Sequence, residues 1–377
     1  MRIGIDASNL RAGGGVTHIA ELLRHADPAR HGVSEVTIWS GRSTLAQIDE
    51  RPWLRREHDP LLDGALPQRA FWQRARLPRL ARAACDVLFV PGGNSSGVHP
   101  YVTMAQNLLP FDPPERARYK YSRIYFRLVG LRALQARTFR RADSVIFPSE
   151  YALEKIGPAI GLARDRSAVI PHGVNELFRS EPRPQRALAS YSMSAPFRFL
   201  YTSIIDLYKH QWNVAEAVVR MRRAGMPVAL DLVGPAYPPA MAKVEKVLER
   251  AGEHRAAVRF RGPAEHAETV NAYHDADAFV FASTCESISL ILIEAMAAGL
   301  PIACSNRRPM LDVLQQAGLY FDAESVDSIE KALRALALDP AVRAACGKSV
   351  YDLALQYSWR RCADETFSLL ARVGTRQ

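Results

Sequence analysis

Residues 277–306 read DAFVFASTCESISLILIEAMAAGLPIACSN, which sets two short apolar runs on either side of a longer helical pattern. The runs DAFVFAS and LPIACS are short and bounded by turn residues, as is typical of strands buried in a parallel sheet. The segment between them begins with small polar residues and continues as an apolar helix. A strand, a helix and a second strand in this order predict one βαβ unit of an open α/β sheet.

The same alternation of short strands and amphipathic stretches continues along the 377 residues. A chain of this length is too long for one ordinary core and suits two domains with a cleft between them. A stretch rich in Pro, Ser and charge separates two series of strands. The predicted boundaries are 1–180 for the N-terminal domain, 181–195 for a linker, 196–355 for the C-terminal domain and 356–377 for a C-terminal helix that could pack back on the N-terminal domain.

Glu286 is expected in the loop that follows the strand DAFVFAS, and Glu294, eight residues later, two turns into the next helix. In an open α/β sheet, ligands bind at the carboxyl ends of the strands, where a helix N-terminus attracts an anionic diphosphate. The amides at that terminus belong to Ser287, Ile288, Ser289 and Leu290. Carboxylates accept hydrogen bonds from neighbouring sugar hydroxyls, so Glu286 and Glu294 are candidate ligands of a sugar and a ribose. The alternative is that one caps the helix and the other is a paired surface charge.

A second candidate phosphate site is LRAGGGVTHIAELL, residues 10–23, where three glycines precede a helical pattern. Gly14 and Gly15 would let backbone amides approach a phosphate at the helix N-terminus. A plain tight turn explains the glycines equally well. The run is not GxGxxG and no acidic residue follows at the expected distance, which argues against a nicotinamide cofactor.

The order of elements over residues 196–325 resembles the donor-binding domain of family 4 glycosyltransferases, and residues 1–180 resemble the family more weakly. The resemblance rests on the Glu-x7-Glu pair, Glu286 and Glu294, and on the Ala-Met-Ala-x-Gly-x-Pro run that begins at Ala295. It implies two facing Rossmann-like domains, the GT-B fold, with a deep interdomain cleft. It also implies retention of the anomeric configuration without a covalent nucleophile.

The resemblance assigns roles to individual residues. Glu286 would contact the donor sugar, Glu294 the ribose, residues 287–290 the diphosphate, and Gly14 and Gly15 would lie near the same diphosphate. Lys209, in YTSIIDLYKHQ, matches the family lysine that neutralises the donor phosphates, so it joins Glu286 as a predicted catalytic residue.

The sequence departs from the family pattern at two places. The family arginine six residues before the lysine is Ser203 here, and His210 or another basic group could compensate. The family His-Asp pair beneath the donor sugar is Gln106 and Asn107, which can bind a hydroxyl but carry no proton at neutral pH. A mechanism that needs a histidine base at this place is therefore excluded.

The segment IPHGVN, residues 170–175, resembles the family segment that leads out of the first domain. Its His172 and Gly173 could be structural or could face the ligand. The other histidines give no rival active site, because no HExxH, GxSxG or P-loop motif is present.

Five cysteines without paired spacing argue against a disulfide framework or a zinc-thiolate site. No DxD stands on a suitable loop, so we expect no metal and no cofactor. The start of the chain does not resemble a signal peptide, and no apolar run approaches 18 residues, so we expect a cytoplasmic protein.

Positive charge is concentrated in the first half of the chain. Residues 1–185 contain 27 Lys and Arg against 18 Asp and Glu, out of a total net charge of +10. Residues 113–143 carry nine cations interleaved with aromatic side chains, and residues 64–84 carry five cations and no acid. Such segments suit an anionic membrane surface, so peripheral binding to the inner leaflet is expected. A solvated helix face is the alternative.

These observations predict a metal-independent, retaining glycosyltransferase. The donor is a nucleotide-diphosphate sugar, with mannose suggested by the resemblance, and the acceptor is a cell-envelope glycan or a lipid-linked molecule. The alternatives are a nucleotide-sugar epimerase of related two-domain fold and a non-enzymatic basic protein that binds nucleic acid. The latter has no reason to carry the Glu286 and Glu294 loop, so no nucleic-acid partner is expected.

Overall fold

The computed structural model describes residues 1–11, 13–94 and 97–375, which form two compact α/β units. Within these ranges, the first unit contains residues 1–116, 120–173 and 357–375, and the second contains residues 117–119 and 174–356. Each unit has one parallel sheet whose strands alternate with helices. The prediction of two Rossmann-like α/β domains is therefore confirmed.

The described part of the first unit contains a seven-stranded parallel sheet. Its strands are β1 (Arg2–Asp6), β2 (Glu35–Trp39), β3 (Leu54–Glu57), β4 (Val87–Val90), β5 (Tyr101–Met104), β6 (Ser144–Phe147) and β7 (Ser167–Val169). The strand order is β3-β2-β1-β4-β5-β6-β7. Ile3 and Ile5 of β1 are fully buried because helices cover both faces of a parallel sheet of this kind.

The helices that begin in the first part of the chain are α1 (Gly14–Arg24), α2 (Arg42–Leu45), α3 (Pro60–Asp63), α4 (Leu66–Ala75), α5 (Leu77–Ala84), α6 (Pro113–Ala117), α7 (Arg123–Arg141) and α8 (Glu150–Ile160). Three of these described helices, α3, α7 and α8, begin at side-chain caps. Ser122 caps α7 by accepting a hydrogen bond from the Tyr125 amide, and Ser149 caps α8 in the same way.

The second unit contains a six-stranded parallel sheet in the order β10-β9-β8-β11-β12-β13, counted over the described residues. Its strands are β8 (Phe197–Thr202), β9 (Val228–Val233), β10 (Val258–Gly262), β11 (Ala278–Phe281), β12 (Ile302–Ser305) and β13 (Leu319–Phe321). The helices are α9 (Gln211–Arg223), α10 (Pro238–Arg250), α11 (His266–Asp275), α12 (Leu290–Ala297), α13 (Met310–Leu314), α14 (Val326–Leu338) and α15 (Pro340–Ala354).

The strand order reverses once in each sheet, between β1 and β4 in the first unit and between β8 and β11 in the second. At such a switch point the connections leave in opposite directions, which opens a crevice at the carboxyl ends of the two central strands. The predicted site residues lie in the loops after β1, β5, β8 and β11 or in the first turns of the helices that follow β1 and β11. The fold therefore places each group of candidates at a ligand-binding position of its own sheet.

The last helix, α16 (Trp359–Gly374), belongs to the first unit, where it packs against α1 and β4. Residues 181–195, predicted as a linker, belong to the second unit. The Arg343 guanidinium donates a hydrogen bond to Gln185 Oε1 at 2.9 Å, and the Tyr191 hydroxyl donates one to Asp277 Oδ1 at 2.7 Å. Among the described residues, none of the helices combines the length and the apolar character that crossing a bilayer requires.

Candidate functional site

The second unit brings Lys209 and Glu286 together at the switch point of its sheet. Lys209 lies in the loop between β8 and α9, and Glu286 lies in the loop between β11 and α12. Lys209 Nζ forms an ion pair with Glu286 Oε1, and only 6% and 13% of these side chains are exposed. Ser283 Oγ donates a hydrogen bond to the same glutamate oxygen at 2.5 Å. The two residues predicted to be catalytic are therefore direct neighbours.

Hydrogen bonds from the Tyr201 side chain and from the backbone join the loops that follow β8 and β11. The Tyr201 hydroxyl donates to the carbonyl oxygen of Lys209 at 2.7 Å and accepts from the amide of Ala282 at 3.2 Å. The Thr284 amide donates to the carbonyl oxygen of Tyr208 at 2.9 Å. Because these bonds join the two loops, the ion pair is positioned before any ligand binds.

Glu294 occupies the second turn of α12. Its Oε2 accepts a hydrogen bond from the Tyr273 hydroxyl at 3.0 Å, and that hydroxyl lies 2.5 Å from Thr202 Oγ1. Burial raises the pKa of the Glu294 carboxyl to about 7, and the hydrogen bond from Tyr273 offsets this rise only in part. At neutral pH the carboxyl is therefore present in both protonation states.

The N-terminus of α12 lies beside the ion pair in the β11 loop. Ser289 is the cap, because its Oγ accepts a hydrogen bond from the amide of Leu292 at 3.4 Å. Ser287, Ile288 and Ser289 are buried against the unit. The first amides of a helix have no acceptor within it and carry its partial positive charge, so residues 287–290 can bind an anion.

Ser203 occupies the position of the family arginine, and His210 is the candidate to compensate for it. The hydroxyl of Ser203 donates to the carbonyl oxygen of Ile204 at 2.9 Å, so it forms a local contact. His210 is buried, and burial, with a smaller effect of Arg118, lowers its pKa to about 4. His210 is therefore neutral at pH 7 and does not replace the arginine as a cation.

Residues 117–119 belong to the second unit, which the sequence did not indicate. An Arg118 guanidinium nitrogen lies 3.0 Å from Glu324 Oε1, and the Tyr119 hydroxyl donates to Asp206 Oδ1 at 2.5 Å. Burial and the neighbouring Asp206 carboxylate raise the pKa of Tyr119. Arg118 is therefore a cation of the second unit that comes from a distant part of the chain. No local pattern could have predicted this placement.

The glycines of the first unit lie at the N-terminus of α1. Gly13 has a φ of 72° and precedes the helix, and Gly14 and Gly15 form its first turn. A Cβ atom on Gly15 would lie 3.7 Å from Gln106 Oε1, so the glycine turn and the end of β5 are close together. Asn107 is exposed, and its Oδ1 accepts a hydrogen bond from the Leu109 amide at 3.1 Å.

His172 and Gly173 have a packing role in the first unit. His172 is buried, and its ring lies 5.7 Å from the ring of Trp359 at the start of α16. A Cβ atom on Gly173 would lie 2.1 Å from the Trp359 amide nitrogen, so only glycine allows this close approach. Residues 172–173 therefore pack against the start of α16 and hold this helix on the first unit.

The predicted site residues fall into two groups. Lys209, Glu286, Glu294 and residues 287–290 lie around one switch point in the second unit. Gly14, Gly15, Gln106 and Asn107 lie at the carboxyl ends of strands in the first unit. Each group offers hydrogen-bond donors and acceptors suited to a phosphorylated sugar, but of the two groups only the one in the second unit contains a buried cation, Lys209.

Family models match both halves of the chain. Residues 12–176 match the model described as Glycosyltransferase Family 4, and residues 192–352 match the model described as Glycosyl transferases group 1. Glycogen synthase of Mycobacterium tuberculosis is 26% identical over 255 residues, which cover 65% of this chain. The chain spans 58% of that relative's length. O-antigen chain mannosyltransferase B of Escherichia coli is 29% identical over 123 residues, covering 33% of this chain and 32% of that protein.

Solved structures show the same fold along nearly the whole chain. Anabaena Alr3699/HepE in complex with UDP and glucose superposes with a TM-score of 0.73 and 15% identity. The match covers 99% of this chain and 100% of the Anabaena chain. With both family models and the two parallel sheets in agreement, the chain is a member of the family 4 glycosyltransferases, with their GT-B fold of two Rossmann-like domains.

Proposed function

We propose that this glycosyltransferase moves a sugar from a nucleotide-diphosphate donor to an acceptor hydroxyl with retention of configuration and without a metal ion. The observation that carries the proposal is the buried Lys209 and Glu286 ion pair beside the N-terminus of α12. A cation and a helix terminus suit a diphosphate, and the carboxylate suits the hydroxyls of the attached sugar.

In the proposed reaction, the bond between the anomeric carbon and the diphosphate oxygen breaks, and the electron pair leaves on the phosphate. Lys209 and the amides of residues 287–290 stabilise that charge as it develops. The acceptor oxygen bonds to the anomeric carbon on the face that the phosphate leaves. The acceptor proton passes to the departing phosphate oxygen, because the amide of Gln106 cannot take it at neutral pH.

The donor sugar and acceptor are the finer part of the proposal. We favour mannose from a guanosine diphosphate donor, transferred to a cell-envelope glycan or lipid-linked acceptor. The name of the Escherichia coli relative, O-antigen chain mannosyltransferase B, supports a mannosyl donor and a polysaccharide product. The Anabaena structure in complex with UDP and glucose makes uridine diphosphate glucose the necessary comparison.

A nucleotide-sugar screen tests the proposal. The full chain is melted with GDP-mannose, UDP-glucose and other nucleotide sugars, and each stabilising compound is then assayed for hydrolysis and transfer. We expect GDP-mannose to raise the melting temperature most, because binding to the folded state alone stabilises it. Stabilisation by another donor would correct the sugar, and no stabilisation or turnover with any donor would contradict the function.

Removal of metal ions is expected to leave turnover unchanged. The contacts proposed for the diphosphate all come from protein groups, namely Lys209 and the amides of residues 287–290. Initial rates are measured with the active donor after brief treatment with EDTA, and with and without added Mg²⁺ or Mn²⁺. Complete loss of turnover after EDTA, restored by Mg²⁺ or Mn²⁺, would show that a metal ion stabilises the leaving diphosphate.

Donor affinity is expected to rise about tenfold between pH 6 and pH 8, because the ionised fraction of a carboxyl with a pKa near 7 rises from roughly one tenth to nine tenths. In the proposed donor complex the ionised Glu294 accepts from both ribose hydroxyls, so donor binding would release a proton and tighten as pH rises. Calorimetry with an intact nucleotide sugar measures this, since its phosphates do not titrate in that range.

Substitutions isolate the contribution of Glu294 to this pH dependence. We expect Glu294→Gln to remove the dependence and Glu294→Ala to weaken donor binding at every pH. Glu249→Gln, on the exposed face of α10, is the matched control and should keep the native profile. The same slope in the native chain and in Glu294→Gln would show that another group titrates.

The first unit carries a surface suited to an anionic membrane. Tyr121 and Phe126 are 94% and 67% exposed at the start of α7. The exposed cations Lys120, Arg123 and Arg127 lie beside them in sequence. Exposed aromatic and basic side chains together bind the interface of anionic lipids. We therefore include peripheral binding to the cytoplasmic leaflet in the proposal.

Other members of the two basic segments face inward or form protein contacts. Tyr119 and Phe139 are buried. Arg116 donates to the carbonyl oxygen of Pro110 at 2.6 Å. Residues 64–84 contribute a further exposed set: Leu66, Phe71, Arg74, Arg79, Leu80 and Arg82. Only the exposed cations of these segments can contact a membrane, so the substitutions are made at those residues.

The native chain is expected to float with anionic vesicles at low salt and to be released at 1 M salt, where the Debye length falls from about 10 Å to about 3 Å. Each Lys or Arg near the anionic membrane surface contributes about 1 kcal/mol to the binding free energy. Changing Lys120, Arg123 and Arg127 to Ser should therefore weaken vesicle binding about 100-fold. The control changes Lys246, Arg255 and Lys331, exposed in the second unit, to Ser. Equal binding to neutral vesicles, or equal loss in both variants, would indicate a solvated surface instead.

A further inference from the structure

Two histidines and a cysteine meet in the interior of the first unit. His18 lies on α1, His172 follows β7, and Cys362 lies on α16. Their exposed fractions are 1%, 4% and 1%. One ligand-type atom of each residue lies within 4.8 Å of the others. These are the side chains that bind zinc most often, and the chain brings them together from segments that are far apart in sequence.

Three of the four histidine ring nitrogens in this cluster are buried without a hydrogen-bond partner among the described residues. They are both ring nitrogens of His18 and Nδ1 of His172. A buried polar group without a partner costs about 1–3 kcal/mol, so native proteins rarely retain three in one place without a compensating contact. The rings lie 4.7 Å apart, with Trp359 packed against both.

The protonation state of the two rings suits a ligand role. Burial lowers the pKa of His172 to about 4 and lowers the pKa of His18 as well, with a smaller effect of His172 on His18. Both imidazoles are therefore neutral at pH 7, and each has a lone pair available on one nitrogen. Neutral imidazole is the form that binds a transition metal.

We infer that His18, His172 and Cys362 bind one Zn²⁺ ion in the first unit, in contrast to the expectation of no metal from the cysteine spacing. Two imidazole nitrogens and one thiolate fill three of the four positions of a tetrahedral zinc ion, and the fourth position would be filled by a water molecule, as in other zinc sites with three protein ligands. With bonds of about 2.0–2.3 Å, tetrahedral ligand atoms stand roughly 3.3–3.8 Å apart, so the cluster needs to contract by about 1 Å.

Zinc binding at this place releases a proton from the cysteine. Burial raises the pKa of the Cys362 thiol to about 12, although a contact with the Thr366 hydroxyl lowers it in part. When the zinc–sulfur bond forms, the S–H proton passes to solvent and the thiolate charge is neutralised by the metal. The Thr366 hydroxyl can then donate to the bound sulfur and hold it in position.

The site would tie the C-terminal helix to the N-terminal helix of the same unit. α16 packs on α1, and the ligands on these helices are separated by most of the chain. A metal that closes so long a loop stabilises the folded unit, because the unfolded chain has no preformed site. All three ligands belong to the first unit, whereas the cation and helix terminus proposed for the donor diphosphate belong to the second.

Metal analysis of the untagged full chain tests the inference. The protein is saturated with Zn²⁺, dialysed without chelator and measured by mass spectrometry for metals. We expect about one zinc ion per native chain. Cys362→Ser and His18→Asn should lose it. The matched control is Cys346→Ser, which removes a buried thiol from α15 in the second unit and should keep the zinc.

Cobalt replacement keeps the test independent of variant folding. Co²⁺ bound through Cys362 gives a thiolate charge-transfer band in the near ultraviolet, in the native chain and in Cys346→Ser. We also expect a chelator that strips zinc to lower the melting temperature of the native chain. No measurable zinc in the native protein, cobalt binding without a thiolate band, or equal zinc in all variants, which indicates an adventitious ion only, would overturn the inference. None of these outcomes depends on sugar transfer.

Discussion

Glu286→Gln is expected to lower turnover about 100-fold or more while the chain still binds a nucleoside diphosphate. The Glu286 carboxylate is held by Lys209 and Ser283 at the end of β11, where the proposed donor sugar lies. Loss of one preorganised polar contact to the transition state typically costs about 10²–10³ in kcat. The neutral amide also removes a negative charge from the surroundings of Lys209, so the phosphates of the nucleotide should bind as well as before or better.

This prediction separates a role at the sugar from a role at the nucleotide. Turnover is measured at saturating donor, and nucleoside diphosphate affinity is measured by calorimetry on the same preparation. Glu253→Gln, at an 89% exposed glutamate of the second unit, is the control and should keep both values. Unchanged turnover in Glu286→Gln would contradict the assignment. Equal losses in turnover and nucleotide affinity would indicate that Glu286 acts on the phosphates rather than on the sugar.

The second domain was more predictable from sequence than the first, and the reason lies in strand burial. β8, β9, β11 and β12 are central or nearly central in their sheet and read as short apolar runs. β3, with the sequence LRRE, is an edge strand whose charged side chains reach solvent, so it has no apolar run to detect. Its existence depends on pairing with β2, which is information that the local sequence does not contain.

The candidate site shows the same division between local and distant information. The spacing of Glu286 and Glu294 placed one residue in a loop and the other in the second turn of a helix, as the structure has them. Lys209 can pair with Glu286 only because β8 and β11 are neighbours in the sheet. That strand order is not visible in either local segment. The place of Arg118 in the second unit depends on contacts between distant parts of the chain, so no pattern in its segment predicted it.

Lys209→Met is expected to lower both stability and turnover, because it leaves a largely buried carboxylate without its counter-charge. The partners are only 6% and 13% exposed, and removal of one member of such a pair typically costs about 3–5 kcal/mol. For a unit of this size the melting temperature should fall by roughly 6–20 °C. Turnover should fall about 10²–10³-fold, because Lys209 is the cation proposed to stabilise the leaving phosphate.

The double variant Lys209→Met with Glu286→Gln separates these two effects. Two neutral side chains of similar volume remove the unpaired charge, so the melting temperature should recover most of the loss. Turnover should stay low, because the cation that stabilises the leaving diphosphate is still absent. Lys246→Met, an exposed lysine on α10, controls for the loss of one positive charge and should behave as native. If the double variant melts as low as Lys209→Met, the two charges are not coupled, and if Lys209→Met turns over normally, the leaving group is stabilised without this lysine.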